Sequence, residues 1–147
     1  MTANRLPSVN RPTRLIFRAS VRRPLHVRQV VLAFRCAIRG LADAWRSQPN
    51  LRLHAYAGTA VVAAGILCRL STVEWLWITL AVGLVVFAEL MNTAIEQSVD
   101  LVVGLRPDPL ARQVKDIAAG CVLVAAVLAA IIGGLTFLPH VLARLAG

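Results

Sequence analysis

The chain has 147 residues, 58% of them apolar and 16% charged, with sixteen Lys and Arg against seven Asp and Glu for a formal charge of +9. One domain or one compact membrane unit fits that length. The composition excludes an intrinsically disordered chain and is too apolar for an ordinary water-soluble domain, where about 45–50% is usual even with glycine counted. Cys36, Cys68 and Cys121 are odd in number and far apart, which excludes a disulfide framework and a zinc cluster built on CxxC.

Residues 1–30 are rich in Arg, Pro and Ser, carry no acid, and lack the apolar stretch of a secretory signal, so no cleavage is expected. Their composition also fits an organellar transit peptide. The simpler reading is a disordered basic tail on anionic lipid headgroups, where each nearby Arg contributes about 1 kcal/mol. No nucleic-acid reading motif accompanies the charge, so no nucleic-acid partner is expected.

From residue 31 the domain proper is expected to run to residue 147. Phe34, Ala37 with Ile38, Leu41, and Ala44 with Trp45 recur at helical spacing, while Arg35, Arg39, Asp43 and Arg46 lie elsewhere on the wheel. This predicts an amphipathic helix over residues 31–48, at home in the headgroup zone. Pro49 should end it by disfavouring helical geometry at Gln48.

Three apolar segments follow. Leu53 to Leu70 is a short span, residues 75–103 form a longer one with polar groups embedded, and residues 116–138 are interrupted only at Thr136 after Ile117. A crossing needs about 20 such residues. The predicted architecture is therefore an all-α integral membrane protein with one surface helix and three transmembrane helices. A soluble helical core is the alternative, but so short a chain has too little surface to hide three such segments. Arg106, Arg112 and Lys115 lie in the second link, and the N-terminal region is strongly basic. The excess of cations on cytoplasmic loops then places the N-terminus inside the cytoplasmic membrane and the C-terminus outside.

The second span holds the chemistry. With Glu89 at zero and 100° per residue, Asn92, Glu96 and Asp100 fall at about −60°, −20° and +20°, on one face along roughly 16 Å of axis. The opposite face carries Leu90, Met91, Ala94 and Ile95. One acid at mid-membrane costs about 2.5–3.5 kcal/mol, so such a row persists where it faces other helices, water, metal or ligand. Asp100 alone reads as a helix end emerging into water; Glu89, eleven residues deeper, does not. Two carboxylates about 10 Å apart along a helix are too distant to hold one metal by themselves. They suit two tasks instead: one deprotonates a hydroxyl, the other holds a divalent cation on a phosphate. Both are components of phosphoryl transfer. Lys115-Asp116 adds a phosphate-directed cation at the start of the third span. A P-loop and the protein-kinase motifs are absent from the sequence.

The run Glu89-Leu-Met-Asn-Thr-Ala-Ile-Glu96-Gln-Ser-Val-Asp100, followed by Val114-Lys115-Asp116-Ile-Ala-Ala-Gly120, resembles the signature of prokaryotic diacylglycerol kinases and undecaprenol kinases. The resemblance covers about residues 34–138. Trp45 to Tyr56, with Asn50, Arg52 and His54, is similar to the undecaprenol-kinase branch. It implies a homotrimer that phosphorylates a membrane lipid alcohol with ATP and Mg²⁺. Carried over by position, Glu89 is the general base and also touches the lipid. Glu96 and Gln48 hold the metal; Glu96, Lys115, Asp116, Cys36 and Gln48 contact the nucleotide. Trp45 and Arg52 line the lipid entrance, and Asn92 and Asp100 support the site.

Four positions depart from the family pattern. Ser47-Gln48 stands where Asn-Glu is frequent, so a carbonyl oxygen replaces a charge. Cys36 takes the place of a common Tyr, and Asp108 that of a frequent His. The competing reading is a non-catalytic membrane scaffold or transporter-type subunit that uses the polar stripe for helix association. His54, with no second His nearby, is read as an interfacial residue rather than a ligand.

Overall fold

The computed structural model describes residues 27–104 and 106–146. The expected tail over residues 1–30 therefore lies outside the described residues as far as residue 26. The rest is four helices in chain order: α1, Val27–Ser47; α2, Pro49–Cys68; α3, Thr72–Val103; and α4, Pro109–Ala146. The last three are each long and apolar enough to cross a membrane.

Local chemistry moves the helix ends away from the sequence-based bounds. α1 begins at Val27, four residues before the expected start at 31. Pro49 does more than stop α1. Gln48 is extended (φ −110°, ψ 106°) and Pro49 opens α2, the one turn of a helix where a missing N–H costs nothing. α2 consequently starts at residue 49 rather than 53. It closes on Arg69 in the left-handed region (φ 55°), whose N–H donates to the Ile66 carbonyl while the Leu70 N–H donates to Gly65. α3 starts at Thr72 because Ser71 and Glu74 form a reciprocal cap: the Ser71 N–H donates to the Glu74 carboxylate at 2.7 Å, and the Glu74 N–H donates to Ser71 Oγ at 3.4 Å.

α4 departs most, running from 109 to 146 where 116–138 was expected. At its start Asp108 accepts the Ala111 N–H at 2.9 Å and Pro109 takes the next position, a favourable pairing of cap and proline. At its far end the helix continues through Pro139. Two ties hold that last stretch: His140 Nε2 lies 2.8 Å from Glu74 Oε1, and Arg144 Nη2 donates to the Leu67 carbonyl at 2.6 Å.

α3 is the centre of the packing. It lies along α4 for most of its length and against α2 more briefly, while α2 and α4 barely meet. Ile78, Ala81 and Val85 of α3 are buried with Ala118, Val122 and Ala125 of α4; small residues here let backbones approach closely. On α2, Gly65 admits Trp75, whose ring would lie 2.8 Å from a Cβ at that position, and Gly58 admits Val82 at the same distance. Large apolar side chains such as Leu80, Phe87, Val124 and Ile131 point outward, as they must where the solvent is hydrocarbon.

Candidate active site

The face that α3 buries changes character part-way along. Ile78, Ala81 and Val85 continue into Glu89, Asn92 and Thr93, spaced by three or four residues and so on the same side of the helix. Glu89 is 2% exposed, Asn92 6% and Thr93 5%. Glu96, one turn further, is half-buried, and Asp100 is at the surface. The expected stripe is therefore graded, with its deepest members shielded by neighbouring helices.

These groups open onto a cavity of about 300 Å³. Glu89, Asn92 and Glu96 form one wall, Asn50 and His54 of α2 a second, and Ala119, Val122 and Ala126 of α4 part of a third. Asn92 Nδ2 donates to Glu96 Oε1 at 3.1 Å, tying the amide to the carboxylate one turn on. Asn92 Oδ1 and Thr93 Oγ1 are buried without a partner. An unmet buried acceptor costs about 1–3 kcal/mol, so the orientation in which Asn92 meets Glu96 comes at the expense of stability.

His54 and Asn50 are the residues whose place was missed. They lie four apart and thus on one face of α2, but only the packing of α2 on α3 turns that face toward Glu89. Spacing gives the shared face; the partner across it is a tertiary fact.

Other site residues named from the sequence sit elsewhere in the chain. Lys115 and Asp116 line a larger cavity of about 590 Å³ at the α3–α4 link, together with Asp100, Arg106, Asp108 and Arg112. Lys115 Nζ is ion-paired with Asp100 across the two helices, and Arg112 approaches Asp116 at 3.9 Å on the exposed surface. Cys36, Trp45, Gln48 and Arg52 line neither cavity. Trp45, Gln48 and Arg52 belong to the α1–α2 elbow, where Trp45 meets Tyr56 edge-to-face with ring centres 6.0 Å apart and Arg52 Nη1 donates to the Arg46 carbonyl at 3.5 Å. Cys36 is exposed on α1.

Residues 35–137 match the model of the prokaryotic diacylglycerol kinase family. The chain belongs to that family. It is similar to a diacylglycerol kinase of Synechocystis sp., 42% identical over 113 residues. It is also similar to an undecaprenol kinase of Bacillus subtilis, 46% identical over 101 residues. The first alignment covers 77% of this chain and 65% of the relative, and the second 69% and 81%. The matched region contains α2, α3 and both cavities, and takes in α1 from residue 35.

Proposed function

We propose that this protein is a membrane lipid kinase, which uses ATP and Mg²⁺ to phosphorylate a lipid alcohol. Diacylglycerol would yield phosphatidic acid, and undecaprenol would yield undecaprenyl phosphate. The observation that carries this reading is the buried Glu89–Asn92–Glu96 face, incompletely paired and open to a cavity, in a chain of this family.

Glu89 is the general base. Its carboxylate takes the proton of the lipid hydroxyl as the O–H bond breaks, and the hydroxyl oxygen forms a bond to the γ-phosphorus of ATP. The bond from that phosphorus to the bridging oxygen breaks, and ADP leaves. A positioned base contributes typically about 10²–10⁴-fold. Burial of Glu89 keeps water, the competing acceptor, away from it.

Mg²⁺ needs only one or two protein carboxylates when phosphate oxygens and water complete its shell. The described residues hold no cluster of three His, Cys, Asp or Glu side chains, and none is required. Glu96 fits: Asn92 uses Oε1, and Oε2 has no hydrogen bond among the described residues. Bound there, the ion would offset charge on the transferring phosphate. Gln48 would add a neutral oxygen ligand.

Lys115, held by Asp100, and Asp116 would meet the nucleotide at the α3–α4 link, with Cys36 and Gln48 completing its surroundings. Trp45 and Arg52 would frame the lipid entrance. Because Cys36, Trp45, Gln48 and Arg52 line neither cavity within one chain, a homotrimer is proposed in which one copy supplies these residues to another's site. α1 would lie on the membrane surface, and residues 1–30 would rest on anionic headgroups. The N-terminus and the α3–α4 link would face the cytoplasm, and the C-terminus the other side of the inner membrane.

The test is an assay of purified full-length protein with MgATP and either diacylglycerol or undecaprenol. Labelled phosphate should appear in at least one lipid. Failure with both acceptors in protein that is folded and binds no MgATP would favour the scaffold reading.

A further inference from the structure

The polar cavity accounts for a hydroxyl and a phosphate but leaves the rest of a lipid alcohol without a place. α2 and α4 both rest on α3 and scarcely touch each other. Between them lies an apolar cleft of about 490 Å³. Val82 and Val85 form its floor, Gly58 and Val61 one side, and Gly133 and Phe137 the far part of the other.

Two observations give the cleft a direction. First, His54 and Ala126 line both it and the Glu89 cavity, so the two spaces meet at these residues. Second, the far side of that junction is lined by the polar side chains of Glu89, Asn92 and Glu96. One end is therefore polar while the other accepts hydrocarbon. From Ala126 to Phe137 is eleven steps along α4, about 16 Å at 1.5 Å per residue. That is about half the ~30 Å hydrocarbon core of a bilayer. The far part is open: a Cβ added at Gly133 or Gly134 meets nothing within 4 Å.

We propose that the α2–α4 cleft seats a hydrocarbon chain of the acceptor lipid, its hydroxyl end at Glu89 and its tail running past Gly133 toward Phe137. This rests on the lipid-kinase reading. An acyl chain and a polyprenyl chain share the required chemistry. The seat makes the site select for chain length. Gly133 lies seven residues beyond Ala126, about 10 Å along the helix, so a short chain ends before reaching it and a long one does not.

Gly133→Leu and Gly134→Leu fill the far part of the cleft and leave the polar cavity untouched. In full-length protein, each should lower kcat/KM for dioleoylglycerol, undecaprenol or both by at least about tenfold (1.4 kcal/mol). Dioctanoylglycerol and geraniol should be phosphorylated as by the wild type. Loss confined to undecaprenol assigns the cleft to a polyprenyl chain; loss confined to dioleoylglycerol assigns it to an acyl chain. Equal change with long and short acceptors, or no change, overturns the proposal. So does a change in oligomer mass on native mass spectrometry with both classes of acceptor failing, which would give the cleft to a helix of a second copy.

A second measurement separates this proposal from the lipid-kinase reading. A long-chain alcohol with a diazirine near its tail, irradiated with wild-type protein in the absence of ATP, should label the stretch from Gly133 to Phe137. Labelling only elsewhere refutes the seat. Absence of phosphate transfer by the wild type, with that stretch labelled, refutes the kinase and leaves the seat standing.

Discussion

At the Ser71 end of α3, the polar groups of the cap are paired with one another. Ser71 and Glu74 cap the helix reciprocally, Glu74 meets His140, and Arg144 reaches the Leu67 carbonyl. Five to seven turns along the same helix, Glu89 is almost wholly buried with no hydrogen bond among the described residues, and Asn92 leaves its carbonyl oxygen unmet. One helix thus carries two kinds of polar chemistry. Where groups are paired with one another they hold helices together. Where they are buried and unpaired they weaken the fold, and the proposed function assigns them to a ligand.

Substitutions at the two ends should have opposite signatures. The largest effect is expected from Glu89→Gln combined with Glu96→Gln: lipid phosphorylation should fall to background in protein that remains helical by circular dichroism. If Glu89 is the base and Glu96 the cation holder of one transfer, as proposed, the double variant should be little worse than the poorer single one. Strictly additive losses would show that the two act independently. Between the ends, Gly58→Leu pushes a side chain into Val82, 2.8 Å from the Cβ position. Overpacking of this kind costs about 1–3 kcal/mol, to be read from reversible unfolding in detergent. The smallest effect is expected at the paired end. His140→Ala should lower Tm by only a few degrees, since partly exposed ion pairs contribute little, and should leave lipid turnover unchanged. A large loss of activity there would break the division between the ends.

The three apolar segments were legible because a bilayer imposes length and apolarity on whatever crosses it. The ends were less so. Pro49, Ser71 with Glu74, and Asp108 with Pro109 are cap signals that shift each helix start by a few residues. Beyond Leu138, Pro139 and His140 read as a tail, yet α4 continues because His140 and Arg144 find partners on α3 and α2. Those partners are 66 and 77 residues away in sequence, beyond the reach of local pattern.

The site divided in the same way. The common face of Glu89, Asn92 and Glu96 follows from helical periodicity and was visible in the sequence. The participation of His54 and Asn50, the pairing of Lys115 with Asp100, and the cleft between α2 and α4 depend on how helices pack. No spacing within one helix encodes them.

The central claim is that Glu89 is buried for chemistry rather than for stability. The most direct measurement compares wild type with Glu89→Gln in matched vesicles, recording phosphate transfer to lipid, MgATP binding and Tm on the same preparations. Transfer should fall by about 10²–10⁴, MgATP should still bind, and Tm should be equal or higher because a buried carboxylate has been replaced by a neutral amide. Transfer at the wild-type rate, or a fall in Tm that by itself accounts for the lost activity, would contradict it.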